Sequence, residues 1–297
     1  MAIKTVTLSL NGQTYTIPYD STTGTYKKTI AAPSQSSWDE ADHKFAMQLK
    51  VQDVAGNVTT VDKNDSTFGA AMLLRVLEKT PPVISITKPS SSAYLSNNSV
   101  TIEFTVTDTE SGVNPDTIKI QIDSTGEISD GITKTEIAGG YKCTYTTSIT
   151  DGEHTIKVNA SDNDGNAAVE KQSTFTVDTV PPELNITSPA AALITNKQAL
   201  TVSGSTNESC TIKITLNGAD QGDVTLSATN TFSKQISLAS GGNVIVITAT
   251  DNAGKVTTVQ REVTYDPVAP VIVSINIAPN PVAAGAEFVV TVEATDE

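Results

Sequence analysis

The chain has 297 residues, room for two or three domains of ordinary size, and sets 19 Lys and Arg against 33 Asp and Glu for a net charge of −14. That charge repels nucleic-acid phosphates and anionic lipid surfaces, so neither is expected as a partner. Hydrophobic residues make up 38% and aromatics 5%, while threonine reaches 45, a polarity that favours strands over helices and argues against a helical or α/β enzyme.

Two cysteines, Cys143 and Cys210, and two histidines, His43 and His154, are too few for a zinc cluster or for a disulfide framework across several domains. No apolar run approaches the length of about 18 residues that a membrane span needs, so no membrane insertion is expected. The start, from Met1 to Leu8, alternates at once like a strand and lacks the apolar block of a signal peptide.

In chain order, Val6-Thr7-Leu8-Ser9-Leu10-Asn11-Gly12 comes first and matches Ile212-Lys213-Ile214-Thr215-Leu216-Asn217-Gly218. Thr25-Tyr26-Lys27-Lys28-Thr29-Ile30 likewise matches Thr231-Phe232-Ser233-Lys234-Gln235-Ile236. The strand Met47–Val51 runs into the turn Asp53-Val54-Ala55-Gly56-Asn57. Equivalent turns, Asp162-Asn163-Asp164-Gly165-Asn166 and Asp251-Asn252-Ala253-Gly254-Lys255, follow at spacings of 109 and 89 residues. Each lies between two alternating segments, as a hairpin turn should. Pro81-Pro82, Pro181-Pro182 and Ala269-Pro270 each open a similar apolar segment. Such prolines belong in linkers or at the start of an edge strand. About seven strands per unit, joined by polar turns, predict β-sandwiches.

With these Pro-Pro openings, the Asp-x-x-Gly-Asn turns and Asp108-Thr109-Glu110-Ser111-Gly112-Val113 after a second strand, nearly the whole chain resembles tandem bacterial immunoglobulin-like domains. The expected fold is all-β: tandem immunoglobulin-like β-sandwiches arranged as an extended rod. Residues 1–80 are expected to form a first domain that lacks its opening two strands and carries an extra strand near 70–78. Domains over 81–180 and 181–268 follow, and 269–297 supply the first two strands of a further, incomplete one. The complementary deficits at the two ends suggest either a fragment of a longer array or head-to-tail self-association through strand donation.

Loops after the second strand and before the last strand of such a sandwich share one pole. In the middle unit this gathers Asp108, Glu110, Asp162 and Asp164 near Glu78, and in the next unit Glu208 and Asp251 near Asp178. Clustered carboxylates repel one another unless a cation intervenes, and Ca²⁺ accepts six to eight oxygens in irregular geometry, so calcium is the expected cofactor. The alternative is that Asp and Asn simply suit tight turns. Trp38, with Tyr15, Tyr19 and Tyr26, forms the densest aromatic group and the candidate ligand-binding face. Its polar loop, residues 33–42, sits where recognition often does. The cysteines are expected as buried free thiols.

No phosphate loop, dinucleotide fingerprint, metalloprotease helix or catalytic triad is present, so no enzymatic activity is expected. The expected role is structural or adhesive: a phage virion component, in the tail or decorating the surface, that extends or displays and contacts host-surface carbohydrate. Its location would be the virion or the cell exterior, and its partners other virion or surface proteins. The alternatives are the stalk of a bacterial surface adhesin and accessory modules of a polysaccharide-acting enzyme.

Overall fold

A computed structural model describes residues 2–296, so Met1 and Glu297, the outer limits of the expected first and last segments, lie outside the described residues. The chain divides into two compact units, Met1–Val177 and Asp178–Glu297. Strands dominate both, and the described residues contain short 3₁₀ turns but no α-helix. The threonine-rich, alternating segments explain this: Thr faces solvent while Val, Ile or Phe at every second position faces inward.

The first unit opens with a sheet ordered Gln13–Thr16, Ile3–Leu10, Phe45–Asp53, Val58–Val61, to which Leu73–Leu74 adds a short pairing at Phe45. Its core is small, with Leu10, Phe45 and Val76 buried together. The segment expected as a long strand over 25–30 keeps strand geometry only at Thr25–Tyr26, which pairs with Tyr19–Asp20. No neighbouring strand among the described residues offers Lys27–Ile30 a ladder. The apolar run 70–77 is likewise mostly not strand. Gly69–Met72 makes a 3₁₀ turn before Leu73–Leu74, and Leu74 and Val76 pack onto the small core.

The rest of this unit is a complete two-sheet sandwich. One sheet runs Thr133–Ile137, Gly140–Ser148, Ser99–Thr107, Val83–Lys88; the other runs Val113–Ile122, Gly152–Asp162, Lys171–Val177, Ala93–Leu95. Ile102, Phe104 and Val106 alternate inward from one sheet and meet Ile118, Ile120, Ile156, Val158 and Phe175 from the other. Each fully buried Ile or Phe contributes about 1.5–3 kcal/mol of transfer free energy, so this core is the main stabilising mass of the unit.

The second unit repeats the plan. Leu184–Ser188, Ala199–Thr206 and Thr231–Ser237 face a sheet of Leu193–Thr195, Val256–Tyr265, Gly241–Thr250, Thr211–Leu216 and Ala219–Asp220. Its core is built on Val202, Ile214, Phe232, Leu238, Ile245 and Ile247. Gly204 lies opposite Phe232 in the ladder, and a Cβ there would come within 2.8 Å of the Phe232 ring and 2.4 Å of the Asn185 carbonyl. Only glycine lets the ring cross the strand at that point. After the sandwich, Val271–Ala278 and Val289–Thr295 form an antiparallel hairpin whose side chains are exposed on both faces.

Candidate functional site

The three repeated turns are built by one device. The leading aspartate accepts a hydrogen bond at Oδ1 from the backbone N–H four residues on: Asn57 to Asp53 at 2.9 Å, Asn166 to Asp162 at 2.7 Å, and Lys255 to Asp251 at 2.8 Å. Gly56, Gly165 and Gly254, at φ of 96°, 95° and 84°, supply the left-handed residue that closes each turn. Asx-type turns of this kind account for the local recurrence without any ligand.

The second oxygen separates the three. Asn57 Nδ2 donates to Asp53 Oδ2 at 2.8 Å, and Asn166 Nδ2 donates to Asp162 Oδ2 at 2.7 Å. The third turn carries Lys255 in place of that Asn, and Asp251 Oδ2, on a residue only 7% exposed, is buried without a hydrogen-bond partner. Sequence reasoning aligned these turns but missed the consequence of the Asn-to-Lys difference at the fifth position.

Around two of the turns, carboxylates converge. Glu78, Asp108 and Asp162 are all buried and bring oxygens within 4.8 Å of one another, as do Asp178, Glu208 and Asp251 in the second unit. The first cluster is well supplied with donors. Asp108 Oδ1 accepts from the backbone N–H groups of Glu110 and Gly112 at 3.0 and 2.8 Å. Glu78 Oε1 accepts from Ser111 Oγ at 3.2 Å and Asn166 Nδ2 at 3.1 Å, and Glu78 Oε2 from the Thr80 N–H. Burial, and next the neighbouring Asp162, raise Glu78 above the ordinary Glu range, whereas Asp162 is raised by burial but lowered overall by Glu78 and Asn166. The two shifts run in opposite directions within this one pair.

In the second cluster Asp178 Oδ1 accepts from the Val180 N–H at 3.2 Å and Asp251 Oδ1 from that of Lys255 at 2.8 Å. Burial, then the charges of Asp178 and Asp251, push Glu208 upward, and Asp251 Oδ2 is left without a hydrogen bond.

Two residues expected in the first cluster are directed elsewhere. Glu110 accepts from Thr80 Oγ1 at 3.3 Å outside it. Asp164 points its carboxylate the other way: its Oδ2 accepts from Ser36 Oγ at 2.6 Å and from the Glu78 N–H at 3.1 Å, and its Oδ1 lies 3.7 Å from Arg75. Ser36 Oγ in turn accepts from the Trp38 N–H at 3.0 Å, so Asp164 fixes the Trp38 loop.

The four expected aromatics have separate local partners. Trp38 stacks on His43 with centroids 3.9 Å apart, Tyr19 and Tyr26 meet at 5.3 Å, and Tyr15 carries Lys28 over its ring. Trp38 instead lines a groove of about 520 Å³ with Tyr141 and with loop residues 108–113. His154 bridges Asp123 and the Thr150 carbonyl, both at 2.8 Å, and Asn243 bridges Asn217 and the Ala239 carbonyl at the matching position. That repeat position is a structural strut. Cys143 is fully buried, its thiol pushed up to about 11 by desolvation, and Cys210 is half-buried; both are free thiols.

Comparison with known proteins agrees with the fold. Residues 78–179 match the family described as bacterial Ig-like domain, and residues 182–266 match glucodextranase, domain B. Over these residues the chain is a tandem pair of immunoglobulin-like domains. A curated relative, bacillopeptidase F of Bacillus subtilis (strain 168), is 27% identical over 242 residues, 80% of this immunoglobulin-like chain but only 16% of the relative. Solved structures similar to it include fibronectin(III)-like modules of Clostridium thermocellum CbhA, at 16% identity, TM-score 0.39, covering 62% of this chain and 94% of theirs. Another is the titin I-band fragment I67–I69, at 14% identity and TM-score 0.41, covering 89% and 88%. A third is a bacterial ice-binding adhesin, at 21% identity and TM-score 0.30, covering 90% and 88%.

Proposed function

We propose that these domains act as a non-catalytic spacer and display segment of a larger extracellular or particle-borne protein, held rigid by Ca²⁺ at its carboxylate clusters. The observation that carries the reading is the buried, unpartnered Oδ2 of Asp251, a residue whose carboxylate comes within 4.8 Å of carboxylate oxygens of Asp178 and Glu208. A buried anionic oxygen without a donor is unfavourable by about 1–3 kcal/mol, and an all-oxygen set of three carboxylates matches the chemistry of calcium. Asp178, Glu208 and Asp251 would be the ligands in the second unit. At the Glu78, Asp108 and Asp162 cluster, calcium would compete with the hydrogen bonds that Ser111, Asn166 and the backbone N–H groups already donate. The matches to a domain of glucodextranase and to a small part of bacillopeptidase F support an accessory, non-catalytic role.

The experiment is a pair of thermal scans, with calcium and with chelator, on the protein and on Glu208→Gln. A calcium-dependent rise that Glu208→Gln diminishes supports the reading; equal midpoints with calcium and chelator would overturn it. The virion setting, with other virion proteins as partners, is the finer part of the proposal. Tail or capsid genes beside the coding sequence would support it, and a cell-wall anchor in the same reading frame would place the domains in a surface adhesin instead.

A further inference from the structure

The groove beside Trp38 has a composition that the spacer role does not require. Its floor and walls come from four segments distant in sequence: the Trp38-Asp39 pair, the 108–113 loop, the turn between Thr133–Ile137 and Gly140–Ser148, and Asn163. A second cavity of about 410 Å³ adjoins it and shares Asp39, Thr109 and Glu110, so the two form one continuous cleft along the Ser34–Asp39 loop. Each lies in the volume range of small-ligand clefts.

The cleft is polar and acidic. Asp39, Glu110 and Glu136 are exposed along it, and no Lys or Arg lines either cavity. Such a site repels anionic polymers and draws in cations. The one tryptophan of the chain forms part of the wall, its ring held by stacking on His43. The Ser36–Asp164 hydrogen bond described above holds the loop that carries it, so the platform is preorganised. An indole flanked by carboxylates suits a ring that offers an apolar C–H face, hydroxyls and positive charge together.

We propose that this cleft binds an oligosaccharide bearing free amines, of the glucosamine type, with Trp38 stacking on a sugar ring and Glu110 and Glu136 pairing with ammonium groups. Trp38, Glu110 and Glu136 take no part in the carboxylate clusters, and of the cluster residues only Asp108 reaches the groove. Trp38 is also the sole tryptophan, which makes its fluorescence a reporter of this one site.

The test titrates the full chain with a fully de-N-acetylated glucosamine trimer, following Trp38 emission, and repeats the titration calorimetrically. The parallel ligands are the N-acetylated trimer and a trilysine peptide. The expected result is a saturable change with the amine-bearing sugar that weakens as salt rises, with binding at least about tenfold weaker for the other two ligands. Trp38→Ala and Glu136→Gln should each weaken binding by about tenfold or more in calorimetry. Glu136 is exposed on an edge strand, so that variant tests the site even if Trp38→Ala disturbs its loop. No saturable change with the glucosamine trimer overturns the proposal. So does equal binding of trilysine, which would make the cleft a general acidic patch, or equal binding of the N-acetylated trimer, which would leave the carboxylates without a role.

Discussion

Replacing Lys255 by Asn tests the reasoning about the third turn most directly. In the first two turns the fifth-position Asn gives its side-chain amide to the second oxygen of the leading Asp, at 2.8 and 2.7 Å. Lys255→Asn should install the same bond on Asp251 Oδ2 while keeping the backbone bond at 2.8 Å to Oδ1. An unmet buried acceptor is unfavourable by about 1–3 kcal/mol, so in chelator the variant should gain about 1–2 kcal/mol. For a sandwich of this size, that gain raises the midpoint by roughly 4–8 °C per kcal/mol. With calcium the direction reverses. A cation present at about a hundred times its Kd adds roughly 2.7 kcal/mol to the parent, and the variant should lose much of that increment, because the oxygen it would use is now occupied. Scanning calorimetry of both proteins, in chelator and in calcium, gives all four midpoints. A variant that is no more stable than the parent in chelator, or that keeps the whole calcium increment, would refute the assignment of Asp251 Oδ2 as a vacant ligand.

Asp164→Ala should lower the stability of the first unit by about 2–3 kcal/mol, since Ser36 Oγ and the Glu78 N–H lose a buried charged acceptor. The same change should shift Trp38 emission to the red and speed hydrogen exchange over residues 34–40. Gly204→Ala should destabilise the second sandwich by about 1–3 kcal/mol in denaturant titration, because its Cβ would meet the Phe232 ring and the Asn185 carbonyl. His154 is lowered by burial but raised overall by Asp123 and the Thr150 carbonyl, so its contribution is full below its ordinary 6.5 and is lost as pH rises through its higher folded value. Burial raises Asp123, but His154 and the Thr155 N–H lower it overall, so its share appears above 3.8 and is lost as pH falls through its depressed folded value. Thermal midpoints across this range should therefore fall on the alkaline side in the parent, and His154→Gln should remove that fall.

The sandwiches were legible because their signals are local. Alternation in Ile102-Glu103-Phe104-Thr105-Val106 places three residues in the core and two outside, whatever the rest of the chain does. Asp-x-x-Gly turns depend on five residues and recur with their geometry intact. What alternation cannot supply is a partner strand. Thr25–Ile30 and Thr231–Ser237 look alike in sequence, yet only the latter has Ala199–Thr206 to pair with. The local partners of the aromatics were illegible for a related reason. Tyr19 and Tyr26 face each other within their own two-residue ladder, while the Trp38 loop is drawn away by Asp164, a residue 126 positions further along the chain.

The acidic clusters show where sequence proximity misleads. Asp108 and Glu110, or Asp162 and Asp164, stand two residues apart in a turn, and the turn sends the members of each pair in different directions. Membership was decided by the segment entering the sandwich, which delivers Glu78 to one turn and Asp178 to the other. With Glu78 come the donors Ser111 Oγ, Asn166 Nδ2 and the Thr80 N–H, which supply that cluster with hydrogen bonds. Asp178 instead joins a turn that has exchanged its Asn for Lys255, and the lysine's side chain supplies no hydrogen bond to the open oxygen. The same turn is thus electrostatically closed in one sandwich and open in the next. A larger calcium response in the second unit follows from that difference, whereas equal responses in both would mean that the hydrogen bonds around Glu78 yield readily to the ion.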